Sequence, residues 1–184
     1  MAQLAHLLVE GIWRGWYLFE IEKNSRVKEL ISITKSNSGI SGPVLAKAHM
    51  ELGELLADAF SDLDPEDTTI VAMLRGGLFF AEGMYFKLGC KFQTYNPKTE
   101  VFVRPKTKNI ILVDSVINTV KTILEVLEPD MIVACCVINQ KAVPVFEKQL
   151  YAIRVSENSF VGANVLQQTG NKGPDTTMRL FNLI

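Results

Sequence analysis

The stretch NIILVDSVINTVKTILEVL, Asn109 to Leu127, decides the fold. Its first five residues, Asn109 to Val113, end in an unbroken Ile, Leu and Val run, the composition of a buried strand. Asp114 follows at once, then a short polar loop, then apolar residues at the spacing of an amphipathic helix that begins near Thr119 to Thr122. In a parallel sheet, such a loop lies at the carboxyl end of a strand, where ligands collect. The first amides of a helix have no intrahelical partner and carry partial positive charge, so that end suits an anion. Ser115, Asn118, Thr119 and Thr122 add hydroxyl and amide donors, and Lys121 adds a full charge. Asp114 supplies an acceptor carboxylate of the kind that binds vicinal sugar hydroxyls. Phosphate and sugar together point to a nucleotide or a phosphosugar. Plain helix capping by Asn118 or Thr119 explains part of the same pattern, so this loop alone leaves both readings open. It is neither a Walker loop nor a dinucleotide fingerprint.

Upstream, TIVAML (Thr69–Leu74) reads as a strand that runs into Arg75, Gly76 and Gly77, and LFFAEGMYFKL (Leu78–Leu88) reads as a helix stopped by Gly89. This is a second strand end with anion chemistry. Arg75 can clamp phosphate oxygens bidentately, and the glycines let backbone amides approach closely. Pairing of Arg75 with a surface acid is the plainer alternative. CKFQTY (Cys90–Tyr95) and EVFVR (Glu100–Arg104), separated by Asn96-Pro97, read as a hairpin. Downstream, MIVACCVI (Met131–Ile138) and YAIRVS (Tyr151–Ser156) are further strands, and between them KAVPVFEKQL (Lys141–Leu150) reads as a short helix whose Pro144 must sit near its start or kink it. Pro43 opens an earlier helix whose apolar stripe is Leu45, Ala48, Leu52, Leu55, Leu56 and Ala59. His49 lies beside that stripe and reads, like His6, as a hydrogen-bonded packing residue. Strands alternating with helices at this spacing give an α/β fold, a three-layer arrangement of a mainly parallel sheet with flanking helices.

The chain has 184 residues, enough for a single domain over 1–184 with a good core. Residues 1–30 read as an N-terminal arm. Trp13, Trp16, Tyr17 and Phe19 make it too apolar for a disordered tail, and it is expected to pack on the core or on a second subunit as a homodimer. Net charge is −1 with no basic run, which argues against a nucleic-acid partner. Cys90, Cys135 and Cys136 lack zinc-ligand spacing and read as small core residues in a reducing compartment. No apolar run is long enough to span a membrane as a helix, and the N-terminus has no basic start, so the expected location is cytoplasmic.

With these residues in place, ILVDSVINTVKTI resembles the phosphoribosyl-diphosphate signature of the type I phosphoribosyltransferases, and more narrowly that of the uracil phosphoribosyltransferase family. The family's Ile-Leu-Arg-Ala-Gly loop corresponds to MLRGGLFFAEGM (Met73–Met84), its Asp-Pro-Met-Leu-Ala-Thr-Gly-Gly-Ser/Thr loop to DSVINTVKT (Asp114–Thr122), and its Gly-Asp-Ala-Gly-Asp-Arg segment to PDTTMR (Pro174–Arg179). The helix segment ELGELLADAF (Glu51–Phe60) is also similar, so the resemblance runs from about Leu30 to the end. It implies a phosphoribosyltransferase-like fold with a C-terminal base-binding tail. The implied activity is transfer of ribose 5-phosphate from phosphoribosyl diphosphate to a nucleobase, uracil in that family, with release of pyrophosphate and with Mg2+ on the diphosphate.

The resemblance also implies roles. Arg75 with Gly76 would bind the pyrophosphate, and Asp114 the ribose hydroxyls; Arg75 and Asp114 would be the catalytic pair. Ser115, Val116, Ile117, Asn118, Thr119, Val120, Lys121 and Thr122 would wrap the 5′-phosphate. Asp175 would sit by the sugar diphosphate, and the backbone of Pro174 to Thr176, with Thr169 nearby, would face the base. Three departures stand out. Val120 and Lys121 replace the two signature glycines, Asn96 replaces an arginine that Lys98 or Arg104 would have to supply, and Thr177 and Met178 replace Gly-Asp in the base segment. These departures keep open a non-catalytic reading, in which the fold binds nucleotide or phosphosugar as a sensor or scaffold. They also keep open an enzyme acting on a different base.

Overall fold

A computed structural model of the chain describes residues 18–146, 149–158 and 173–184. Six strands form one sheet, and every neighbouring pair is parallel. The strands are β1 (Leu18–Glu20), β2 (Thr68–Met73), β3 (Lys91–Tyr95), β4 (Asn109–Ile117), β5 (Ile132–Asn139) and β6 (Leu150–Ser156), in the spatial order β1-β6-β5-β4-β2-β3. The helices are α1 (Ser25–Thr34), α2 (Gly42–Ala57), α3 (Leu78–Leu88), α4 (Lys121–Leu124) and α5 (Thr176–Leu180). The expected α/β sheet with flanking helices is present, and it is wholly parallel within the described residues.

The core has two layers because the sheet is covered on both faces. On one face, α1, α2 and α3 bury Leu30, Leu52, Leu56, Phe80 and Met84 against Ile111, Val113, Ala134 and Ile153. Helices α2 and α3 touch backbone to backbone: a Cβ at Gly83 would collide with the carbonyl of Met50. On the other face, Ile123, Val126, Met131 and Phe146 cover Leu112, Val133 and Cys135. Cys90, Cys135 and Cys136 are buried free thiols, as their composition suggested.

Several local expectations need correction. Residues Ser25–Leu30, read as the end of the N-terminal arm, belong to the helix Ser25–Thr34, whose N-cap is Asn24; its side chain accepts from the amide of Val27 at 2.9 Å. Phe19 does pack on the core, with its ring centroid 5.2 Å from that of Tyr151, whereas His6, Trp13, Trp16 and Tyr17 lie outside the described residues. The proposed hairpin is absent. β3 pairs in parallel with β2, and Val101 and Val103 are exposed, because Val101–Arg104 runs off the edge as an irregular segment. It is fastened there by Gln93, which donates to the Val103 carbonyl, and by Arg104, which bridges Glu128 and Asp130. Those ion pairs also occupy Arg104, so it does not take the place of the missing arginine. Pro144 sits inside a short 3-10 turn, Gln140–Val145, rather than near the start of an α-helix.

The sheet also breaks its own alternation. Leu112 and Ile117 of β4 belong to the same core layer, as do Cys135 and Ile138 of β5, and Ala152 and Val155 of β6. Each spacing is odd, and a regular strand would send such residues to opposite faces. The ladders skip one step at the same level: Asp114 pairs with Cys135 and Val116 with Val137, and Cys135 pairs with Ala152 and Val137 with Arg154. Register is unchanged on either side. This shared irregularity at Ser115, Cys136 and Ile153 turns Val116, Val137 and Arg154 towards the α1–α2 face.

Candidate functional site

In chain order, the sheet grows outward from β2 to β3, then returns across β2 to start β4. The crevice between the carboxyl ends of β2 and β4 is therefore the topological switch point, where open parallel sheets bind ligands. The two loops singled out in the sequence meet there. A Cβ on Gly76 would lie 3.3 Å from Oδ1 of Asp114 and 3.1 Å from Oγ1 of Thr177. A Cβ on Gly77 would overlap the Val113 carbonyl and lie 2.8 Å from that of Met73. Only glycine lets the β2 loop lie this close to β4. Ser115 closes the junction by donating its hydroxyl to the Gly76 carbonyl at 2.7 Å. The peptide bond between Leu74 and Arg75 is cis.

Asp114 is half-buried, one residue from the level where the ladder breaks. Burial pushes its carboxyl up to about 7, and the backbone amides of Val116 and Ser115 oppose this only partly. A carboxyl this close to neutral pH can both accept and give up a hydrogen-bonding proton. Arg75 is exposed, and no carboxylate pairs with it among the described residues. Its guanidinium sits 5.4 Å from the ring centroid of Phe181. The alternative of a surface ion pair thus finds no partner among the described residues, and the charge is held over an aromatic face at the rim.

The signature loop differs from expectation. β4 does not end at Val113 but runs through Asp114 to Ile117, and the amphipathic helix is one turn, Lys121–Leu124. The longer strand consumes the front of the loop, and Glu128-Pro129 closes the segment behind it. One helical turn carries little of a helix macrodipole, so the anion argument passes from backbone to side chains. Thr119, Lys121 and Thr122 are exposed there. Neither Asn118 nor Thr119 caps the helix: Val120 is the N-cap, and Asn118 accepts from the Asn139 side chain at 3.0 Å. Val120 has φ of −81°, so the absence of glycine at this position costs no backbone strain.

At the C-terminal segment, Thr176 is buried, and Asp175 caps α5 by accepting the Met178 amide at 2.9 Å. The residue of this segment that reaches Gly76 is Thr177, which follows Pro174–Thr176 in the chain, whereas Thr169 lies outside the described residues. Arg179 is buried and holds the α1–α2 connection through the carbonyls of Thr34 and Ile40 and the hydroxyl of Ser38. Sequence reasoning missed Thr177, seen there only as a lost glycine, and Phe181. An aromatic residue next to a tail that folds back to the rim was the available signal for Phe181.

Beside this junction, a cavity of about 220 Å3 opens on the α1–α2 face. Val116, Val137, Arg154, Thr34, His49 and Thr176 are among its lining residues. His49 is buried, but neither ring nitrogen has a partner among the described residues, contrary to the expectation of a hydrogen-bonded packing histidine. Burial, reinforced by Arg179 and Arg154, pushes its imidazole down to about 3, so it is neutral near pH 7.

No group of three or more His, Cys, Asp or Glu among the described residues could hold a metal ion. Asp114 and Asp175 are held by backbone amides, and no side-chain bond to either carboxylate occurs among the described residues. This donor set suits a magnesium ion brought in on a diphosphate, not a resident one. No helix among the described residues is long and apolar enough to cross a membrane.

No protein-family model matches the chain, and no curated protein matches it by sequence. Solved structures do share its fold. The AQ2163 protein from Aquifex aeolicus overlays with a TM-score of 0.61 at 17% identity, covering 76% of this chain and 87% of that one. A purine phosphoribosyltransferase from Pyrococcus horikoshii overlays at 0.42, with 18% identity, over 59% of this chain and 83% of its own. The xanthine-guanine-hypoxanthine phosphoribosyltransferase of Helicobacter pylori overlays at 0.45, with 14% identity, over 63% and 84%. The first is a likeness of fold alone, and the other two score too low to establish a relationship.

Proposed function

We propose that this chain is a phosphoribosyltransferase that moves ribose 5-phosphate from phosphoribosyl diphosphate to a nucleobase, uracil or a relative of it, and releases pyrophosphate. The observation that carries this reading is the meeting of Gly76, Asp114 and Thr177 at the β2–β4 switch point, on three loops whose sequences resemble that family's motifs. In this reading Asp114 accepts the ribose hydroxyls, and Arg75 takes the diphosphate oxygens. Thr119, Lys121 and Thr122 hold the 5′-phosphate through their exposed side chains, with Ser115, Val116 and Ile117 at the end of β4 and Asn118 and Val120 in the turn after it forming the base of that cradle. Asp175 sits by the sugar diphosphate, and the backbone of Pro174 to Thr176, with Thr169 nearby, faces the base. No residue acts as a nucleophile; a ring nitrogen attacks the anomeric carbon as the diphosphate leaves. Catalysis is positioning plus stabilisation of the leaving charge. Magnesium on the diphosphate would supply further neutralising charge. The reading includes a homodimer, suggested by the aromatic residues Trp13, Trp16 and Tyr17; sedimentation as a monomer at micromolar concentration would contradict that part.

The test is to mix the protein with phosphoribosyl diphosphate, magnesium and each common base, and to measure pyrophosphate release. Release with a pyrimidine is the expected result. A second reading, a binder without turnover, is favoured by the one-turn α4 with Val120 and Lys121 in place of glycines. Saturable nucleotide binding with no release from any base would select it.

A further inference from the structure

The cavity beside the junction has an unusual charge balance. Arg154 and Lys35 line it, Arg179 lies close enough to act on His49, and none of its lining residues is an acid. Arg154 has a buried Nε without a partner, and both nitrogens of His49 are likewise unengaged among the described residues. Residues 159–172, which connect β6 to the tail, contain no Asp or Glu that could supply the missing charge. Buried donors left unpaired are costly, and a charged one costs most. Such groups persist in a cavity when a ligand completes them. The cavity exists because of the shared break in β4, β5 and β6. Regular alternation would have turned Arg154 to the other face, where Leu150 and Ala152 lie.

We propose that this cavity receives the acceptor base and selects one that carries an acidic substituent: a planar heterocycle with a ring carboxylate. The inference rests on the phosphoribosyl-transfer reading for its link to catalysis, but not for binding. Arg154 would pair with the carboxylate in the fork geometry that suits it. His49, a neutral imidazole, offers one donor and one acceptor, which matches the alternating edge of a pyrimidine. Val116, Val137 and Cys136 give the ring an apolar wall, which a bare phosphate would not use. Thr176 joins the cavity to the segment next to Asp114, so a base seated here would lie beside the sugar site.

The test is calorimetric titration of the full chain, without phosphoribosyl diphosphate, using orotate, uracil and inorganic phosphate as probes. Orotate should bind saturably and at least about tenfold tighter than either of the others. Arg154→Met should lower orotate affinity about tenfold or more and leave uracil unchanged, and Arg154→Lys should recover part of it. The comparison of probes on the wild-type chain needs no variant, so it decides the matter even if a variant misfolds. Uracil binding as tightly as orotate, phosphate matching it, or an unchanged affinity in Arg154→Met would each overturn the proposal. Orotate binding without pyrophosphate release would remove the transferase reading and leave this site standing. Release with uracil but no orotate binding would do the reverse.

Discussion

The hydroxyl of Ser115 donates to the carbonyl of Gly76 at 2.7 Å, which ties the end of β4 to the loop after β2. One short contact thereby joins two segments 39 positions apart in the chain. It also holds Gly76 where its Cα faces Asp114 and Thr177.

Ser115→Ala should cost about 1 kcal/mol, the net worth of a hydrogen bond whose carbonyl is then left short of a partner. Urea denaturation would read the loss. A larger effect is expected on phosphoribosyl diphosphate affinity than on the fold, because the loop and not the core is released. Equal affinity in titration would show that the tie does not organise the site.

Gly77→Ala tests close approach. The added methyl meets the backbone oxygens of Val113 and Met73, and neither can move without disturbing the ladder between β2 and β4. A destabilisation of roughly 2 kcal/mol or more is expected. An unchanged thermal midpoint would mean that the loop has room to shift.

Asp114 should make stability depend on pH in the less usual direction. Its carboxyl is raised to about 7 in the fold, against 3.8 when unfolded, so between these values the folded chain binds more protons. Its contribution to stability is therefore greatest near pH 4 and is lost as pH rises towards 7. Asp114→Asn keeps a neutral group at all pH values. It should match the wild type near pH 4 and exceed it above pH 7, by at most about 1.4 kcal/mol per unit of raised pKa. The same variant should lose sugar binding. Thermal melts at pH 4, 6 and 8 would check the first part, and parallel curves for the two proteins would refute it.

Arg75→Ala should leave stability within about 0.5 kcal/mol, because the side chain is exposed and rests over the Phe181 ring with no ion pair among the described residues. Diphosphate affinity should fall about tenfold or more, and Arg75→Lys should restore it only in part, since an ammonium cannot form a bidentate fork. Pyrophosphate titration of the three proteins gives the comparison directly.

The sequence by itself determined the strands at Thr69, Asn109, Met131 and Tyr151, their parallel arrangement, and the two rim loops at Arg75 and Asp114. These are signalled locally: a strand buried on both faces must be apolar, and its first polar or charged residue marks the approach to the rim, even though β4 runs on past Asp114 to Ile117. Local signals also misled. Glu100–Arg104 has strand composition, yet it leaves the free edge of β3 and is held by side-chain contacts of Gln93 and Arg104 instead of a ladder, and Ser25–Thr34 lost its helical signal among aromatic neighbours. Only the tertiary structure decided that Gly76, Asp114 and Thr177 meet, that Arg75 rests on Phe181, and that Val116, Val137 and Arg154 line one cavity with His49. Such contacts depend on strand order and on a break in alternation shared by three neighbouring strands. Both arise between segments far apart in the chain, where no periodicity within one segment can record them.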